Sequence, residues 1–151
     1  VDSIEGFLFE LFTFVKENFN SSSHFHYQLK KKNINSVLEN LLSYEIDNEE
    51  DLTVCLAEEC KVMFRNRLVG ADEVSKYDNT IRKLFQKYLK GTGVAKDFEF
   101  SSLVKKNEEF SKLPKDDYLQ ILEKCIVNYE RENIELNLCL TAQTVSTVQS
   151  L

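Results

Sequence analysis

Tryptophan is absent from this 151-residue chain, proline occurs once and glycine four times. So little turn chemistry excludes a β-sandwich or barrel, and it excludes a disordered tail. No uninterrupted apolar run approaches the length that spans a bilayer, so no transmembrane segment and no membrane partner are expected. Asp2, Glu5 and Glu10 interrupt the start of the chain, which does not read as a signal peptide. The four cysteines, Cys55, Cys60, Cys125 and Cys139, show no C-x-x-C spacing. Buried, reduced thiols in the cytosol fit a helical chain better than a disulfide framework. A formal net charge of -6 argues against a general nucleic-acid binder, whose affinity comes from neutralising phosphates. There is no G-x-x-x-x-G-K-[ST] loop, no apolar strand ends in paired acids, and Gly91-Thr92-Gly93 is too short for a nucleotide fingerprint. The chain is therefore expected not to be an enzyme and not to hydrolyse ATP by itself.

What is present is helical patterning, with eleven phenylalanines and six tyrosines as packing material. The length allows a compact domain with a substantial core. Ser3 is placed to cap a first helix whose stripe is Ile4, Phe7, Leu8, Leu11, Phe12, Val15 and Phe19. The polar cluster from Asn18 to Ser23 reads as a loop. Asn33 is placed to cap a second helix with Ile34, Val37, Leu38, Leu41 and Leu42 on one face. The acidic run from Glu45 to Asp51 suits the N-terminus of a third helix. That helix is expected to run to about Val69, where Gly70 supplies a left-handed stop. A fourth helix begins at Asp72, carries Val74, Tyr77, Ile81, Leu84, Phe85, Tyr88 and Leu89, and ends at Gly91. Residues 91 to 114 are the least regular, with a short strand allowed over Asp97 to Ser101. Pro114 marks the start of a helix striped by Tyr118, Ile121, Leu122, Cys125, Ile126 and Tyr129. Leu136 to Leu140 alternates like a brief strand, and Thr141 caps a final helix. The fold class is mostly α, a helical bundle with a short irregular or β segment and further helices.

Within the third helix, Leu52, Cys55, Leu56, Cys60 and Met63 share one apolar face. Glu59 falls in the middle of that face, and Arg67 lies near its edge. A carboxylate buried there is costly unless answered, so Glu59 is expected to pair with a basic or backbone donor from elsewhere in the fold. This is a structural registry feature rather than catalysis, because adjacent Glu58 and Glu59 point in different directions. His24 and His26 lack nearby cysteine or carboxylate partners and make a poor metal set. His26 and Tyr27 read as packing and hydrogen-bonding residues that close their loop onto the bundle. Lys30, Lys31 and Lys32 precede Asn33, where a helix N-terminus would attract an anion. A solvated basic turn is the competing reading.

The same segments carry a family resemblance. E-E-C-K-V-M-F-R-N-R-L-V, residues 58 to 69, resembles the H-E-x-x-R-x-F-x-D-R-L helix in the lid of the third AAA+ module of dynein heavy chains. H-F-H-Y-Q-L-K-K-K-N-I-N-S-V-L, residues 24 to 38, is similar to the earlier signature of that lid, an H-Y pair followed by a helix start. Residues 123 to 151 resemble the approach to the fourth module, where a Y-x-x-x-N helix leads into L-V-L-F-x-x-x-L-x-H. The three matches are collinear and together span most of the chain. F-R-N-R-L-V-G-A-D-E resembles the intraflagellar-transport class more than the axonemal class. Several positions depart from the pattern. Lys32 stands where the lid has its phosphate-sensing arginine, keeping the charge but losing the planar fork. Asn66 replaces an aspartate beside Arg67, and the tail from Thr141 to Ser150 lacks the usual acids and histidine.

The resemblance implies an AAA+ lid over residues 1–90 and a linker with the lead-in to the next module over residues 91–151. It also implies that the chain is a piece of a larger motor, with cofactors (ATP or ADP with magnesium) held by the parent and none held here. Its partners would be neighbouring AAA+ subdomains and, through the parent, dynein subunits and microtubules. The location would be the cytoplasm and cytoskeleton, with the cilium or flagellum as the compartment of the intraflagellar class. The alternative is a free-standing helical interaction domain, such as an adaptor.

Overall fold

The computed structural model describes residues 2–22, 24–89, 91, 93, 98–101, 110–132 and 138–149. Six α-helices and a two-stranded antiparallel sheet make the described chain mostly α with a short β segment. Its packing divides it into two units, Val1–Ala95 and Lys96–Leu151. The division falls a few residues beyond the 90/91 boundary expected from sequence.

In the first unit α1 spans Asp2–Asn18, α2 Lys31–Leu41, α3 Glu49–Met63 and α4 Ala71–Tyr88. A 3-10 turn, Arg65–Arg67, separates the last two. Helix α1 packs on α4, and α2 packs on α3. Phe7, Leu8, Leu11, Val15 and Phe19 are buried, at the three- and four-residue intervals that make one helical stripe. Phe7 stacks on Phe85 of α4 with ring centroids 4.8 Å apart. Ser3 does not cap, because α1 already runs from Asp2.

Helix α3 is the most deeply set of the four. Asp51, Thr53, Val54, Cys55, Leu56, Glu59 and Cys60 are all buried, a spread too wide for a single stripe and typical of a helix covered on several sides. Asn48 caps it, its side-chain oxygen accepting from the Asp51 N–H at 2.9 Å, and Glu49, Glu50 and Asp51 complement the dipole of the first turn.

Two expected boundaries are corrected. Helix α3 stops at Met63 rather than near Val69, and the chain turns through the 3-10 segment. Gly70 has φ −84° and precedes the first residue of α4, so it opens that helix instead of closing α3. The left-handed glycine is Gly93, with φ +67°, where an added Cβ would lie 2.8 Å from the Phe85 ring and 2.9 Å from Ala57. Helix α2 starts at Lys31, two residues before the expected cap. Buried Asn33 sits inside its first turn, and its side-chain oxygen accepts from the Lys30 N–H at 2.8 Å. Helix α4 ends at Tyr88, before the expected Gly91.

In the second unit, β1 (Phe98–Ser101) pairs antiparallel with β2 (Ser111–Pro114), Phe98 opposite Pro114 and Ser101 opposite Ser111. Helix α5, Lys115–Glu132, follows directly and packs on both strands, with Tyr118 and Leu122 buried one turn apart. Pro114 therefore ends a strand and abuts a helix start, a position where its missing N–H costs nothing. The second strand had no signal in the sequence. Helix α6, Ala142–Gln149, is capped by Thr141, whose hydroxyl accepts from the Thr144 N–H at 3.2 Å. Of the strand expected over 136–140, residues 136 and 137 lie outside the described residues, and Leu138–Leu140 form no strand.

Candidate functional site

The first polar site joins α2 and α3. Asn40 lies in the last turn of α2, and Tyr44 follows the end of that helix. The Asn40 amide donates to Glu59 Oε2 at 2.8 Å, and the Tyr44 hydroxyl donates to Oε1 at 2.7 Å. Glu59 is 9% exposed, so its carboxylate is taken from water and given two protein donors instead. Burial, and then the hydrogen bond to Glu59 followed by its charge, push the Tyr44 phenol well above the usual tyrosine range. Burial, with Glu59 adding to it, also raises the Cys60 thiol and keeps it protonated and inert. The expected basic or backbone partner is corrected: both donors are neutral side chains. The charged neighbour Lys61 pairs instead with Glu58 at 3.3 Å.

The second site gathers the loop after α1 around the 3-10 turn and the start of α4. Tyr27 is 4% exposed. Its hydroxyl donates to Glu73 Oε2 at 2.5 Å and accepts from the Val69 N–H at 3.0 Å. One phenol thus ties the loop both to the segment leaving the turn and to the first turn of α4. Burial, then the Glu73 hydrogen bond, raise the Tyr27 phenol, and the Tyr27 hydrogen bond in turn lowers the Glu73 carboxyl. His24 Nδ1 is buried 3.9 Å from Glu73 Oε1, within ion-pair range but beyond hydrogen-bond distance. His24 and His26 lie against the Tyr27 ring with centroids 4.8 and 4.5 Å away. His26 Nε2 donates to the Arg67 carbonyl at 3.1 Å, which places its proton on that nitrogen.

Sulfur completes the connection. Asn33 Nδ2 points at Met63 Sδ from 3.2 Å, and Arg67 Nη2 approaches it from 3.6 Å. The start of α2, the end of α3 and the 3-10 turn therefore meet at the chain's single methionine. Arg67 itself is exposed and lies beyond α3, not on its buried edge. The strong guanidinium pair belongs to its neighbour. Arg65 Nε and Nη2 reach Asp78 Oδ1 and Oδ2 at 2.7 and 3.0 Å, a two-pronged clasp between the turn and α4. The Asp78 hydrogen bonds raise the Arg65 guanidinium further above neutrality. Nothing in the sequence marks this pair, because helix and turn register bring the two residues together.

The structure thus brings His26, Tyr27 and Arg67 to one place and sets Glu59 apart, on the other end of the α2–α3 contact. Lys32 lies exposed in the first turn of α2 with Lys31, and that turn carries no acid. Among the described residues no group of three or more histidine, cysteine or acidic side chains could hold a metal ion, and no helix is long and apolar enough to cross a membrane. No known family model and no curated protein matches this chain.

Proposed function

We propose that the chain is a non-catalytic segment of a dynein heavy-chain motor, the lid of the third AAA+ module running into the start of the fourth. One observation carries this reading. The H-Y loop and the F-R-N-R-L segment, which separately resemble the family lid, meet where His26 bonds the Arg67 carbonyl 41 residues on, and Tyr27 bonds Val69 and Glu73 just beyond that segment. Two independent sequence resemblances thus fall on one structural junction. In this reading the first unit closes over nucleotide held by a large subdomain outside the chain, and the second passes its position to the neighbouring module. The parent would move toward microtubule minus ends, in the cytoplasm and cytoskeleton or, as an intraflagellar dynein, in the cilium.

The residues suit one part of the nucleotide chemistry. Lys32 offers an exposed ammonium at a helix start whose free N–H groups also favour an anion. In this reading ATP and magnesium are bound by the parent, and Lys32 makes a phosphate contact. Calorimetric titration of the isolated chain with magnesium-ATP should show no binding at micromolar concentration. In the parent heavy chain, Lys32→Ala should lower nucleotide occupancy of the third module. Tight binding by the isolated chain would overturn the lid assignment, and occupancy and motor velocity both unchanged in the parent would reduce Lys32 to a solvated surface charge. A free-standing helical adaptor is the second reading, favoured by apolar side chains left exposed at the end of α2.

A further inference from the structure

The apolar stripe of α2 is wider than the face it buries. Val37 and Leu41 are in the core, whereas Leu38 is exposed and Leu42, at 87%, is the most exposed large hydrophobic residue among those described. Leu42 keeps helical backbone angles, φ −69° and ψ −16°, so it stands one turn from Leu38 on the same outer surface. Ile46 adds a third exposed apolar side chain a few residues on.

The charge around this surface has one sign. From Asn33 to Cys60 the sequence holds eight acidic residues and no lysine or arginine. Glu39 and Asp47, which flank the apolar residues, are exposed. This runs against the electrostatics of the helix. The last turn of α2 contains no basic residue, although a helix C-terminus carries partial negative charge and is stabilised by cations. The acids in the first turn of α3 complement that helix's own positive N-terminus, whereas Glu39, in the last turn of α2, adds to the negative end of its helix. No cation within the last turn of α2 relieves this end.

We propose that the C-terminal end of α2, centred on Leu38, Leu42 and Glu39, is a docking surface for a cationic amphipathic helix of a partner polypeptide. The apolar side of that helix covers the leucines, while its lysines or arginines meet the carboxylates and the exposed end of α2. The surface is a property of the first unit and does not depend on the motor assignment.

The test uses the full chain and two synthetic helical peptides with the same leucine stripe, one bearing lysines and the other glutamates on the polar face. Fluorescence anisotropy should show binding of the leucine–lysine peptide, weakened by added salt, and none of the leucine–glutamate peptide. Amide shift changes should centre on residues 38–47. Leu38→Ser with Leu42→Ser, both on the surface and checked for retained helicity, should weaken binding on the order of tenfold. Glu39→Lys with Asp47→Lys should reverse the preference and admit the glutamate peptide. Equal binding by the serine variant would reduce the effect to charge alone and overturn the proposal. So would shift changes elsewhere, no binding at all, or self-association of the chain abolished by Leu42→Ser, which would make the occupant a second copy.

Discussion

Replacing Glu59 with alanine removes the acceptor of two hydrogen bonds at once. Asn40 is exposed and can exchange its lost bond for water at little cost. Tyr44 is partly buried, and its hydroxyl donates to a carboxylate, a type of bond that contributes about 1.5–3 kcal/mol. Two effects oppose the loss. The carboxylate was costly to bury, and alanine favours a helix by a few tenths of a kcal/mol, roughly. The net expectation is a destabilisation of about 1–3 kcal/mol. Glu59→Gln should cost less, because the amide oxygen can still accept from Tyr44. Urea denaturation followed by circular dichroism measures both variants, and Tyr44→Phe combined with Glu59→Ala gives the coupling. That coupling should be at least about 0.5 kcal/mol for residues in direct contact. A midpoint unchanged by Glu59→Ala would refute the reasoning, since it would mean that Glu59 faces water and binds neither donor.

Gly93→Ala should destabilise the first unit by roughly 1–3 kcal/mol, because the left-handed backbone and the contacts with Phe85 and Ala57 both oppose a Cβ; a thermal melt checks it. Arg65→Lys replaces the two-pronged clasp on Asp78 with a point charge at a half-exposed site and should cost only about 0.2–1 kcal/mol by urea denaturation. The Glu73 carboxyl is held below its ordinary value of 4.5 by the Tyr27 hydroxyl, so its stabilising share is full above that pH and is lost as the pH falls through the lower folded value. Tyr27→Phe should therefore weaken the acid limb of the stability profile and bring the Glu73 titration, followed by carboxyl NMR, back toward the ordinary range.

The readable parts of this fold are those where one side of a helix decides burial. Phe7, Leu11, Val15 and Phe19 follow a single period, so the sequence pattern and the packed face of α1 coincide. The same logic misplaced the end of α3. Nothing in F-R-N-R-L breaks a helix, and the turn at Phe64 is held by tertiary pairs, Arg65 with Asp78 and His26 with the Arg67 carbonyl. Asn33 has the chemistry of a cap and does bond to the helix start, but from the third helical position rather than from outside. Burial of Glu59 was legible because its neighbours at three- and four-residue spacing are apolar. Its donors were not, since Asn40 and Tyr44 lie 19 and 15 residues away on a different element. Strand β2 was silent because S-K-L-P has no clear alternation, and pairing with Phe98–Ser101 defines it. The α2 stripe misled in the opposite direction, predicting a buried Leu42 that lies open.

The assignment to a dynein heavy chain is tested most directly by reading the coding sequence of the transcript on both sides of this segment. The account predicts a large AAA+ subdomain before residue 1 and, shortly after Leu151, a G-x-x-x-x-G-K-[ST] loop that opens the next module, both in frame. A stop codon soon after Leu151, or flanking sequence without any phosphate-cradling loop, would contradict it and leave the helical interaction domain as the standing explanation.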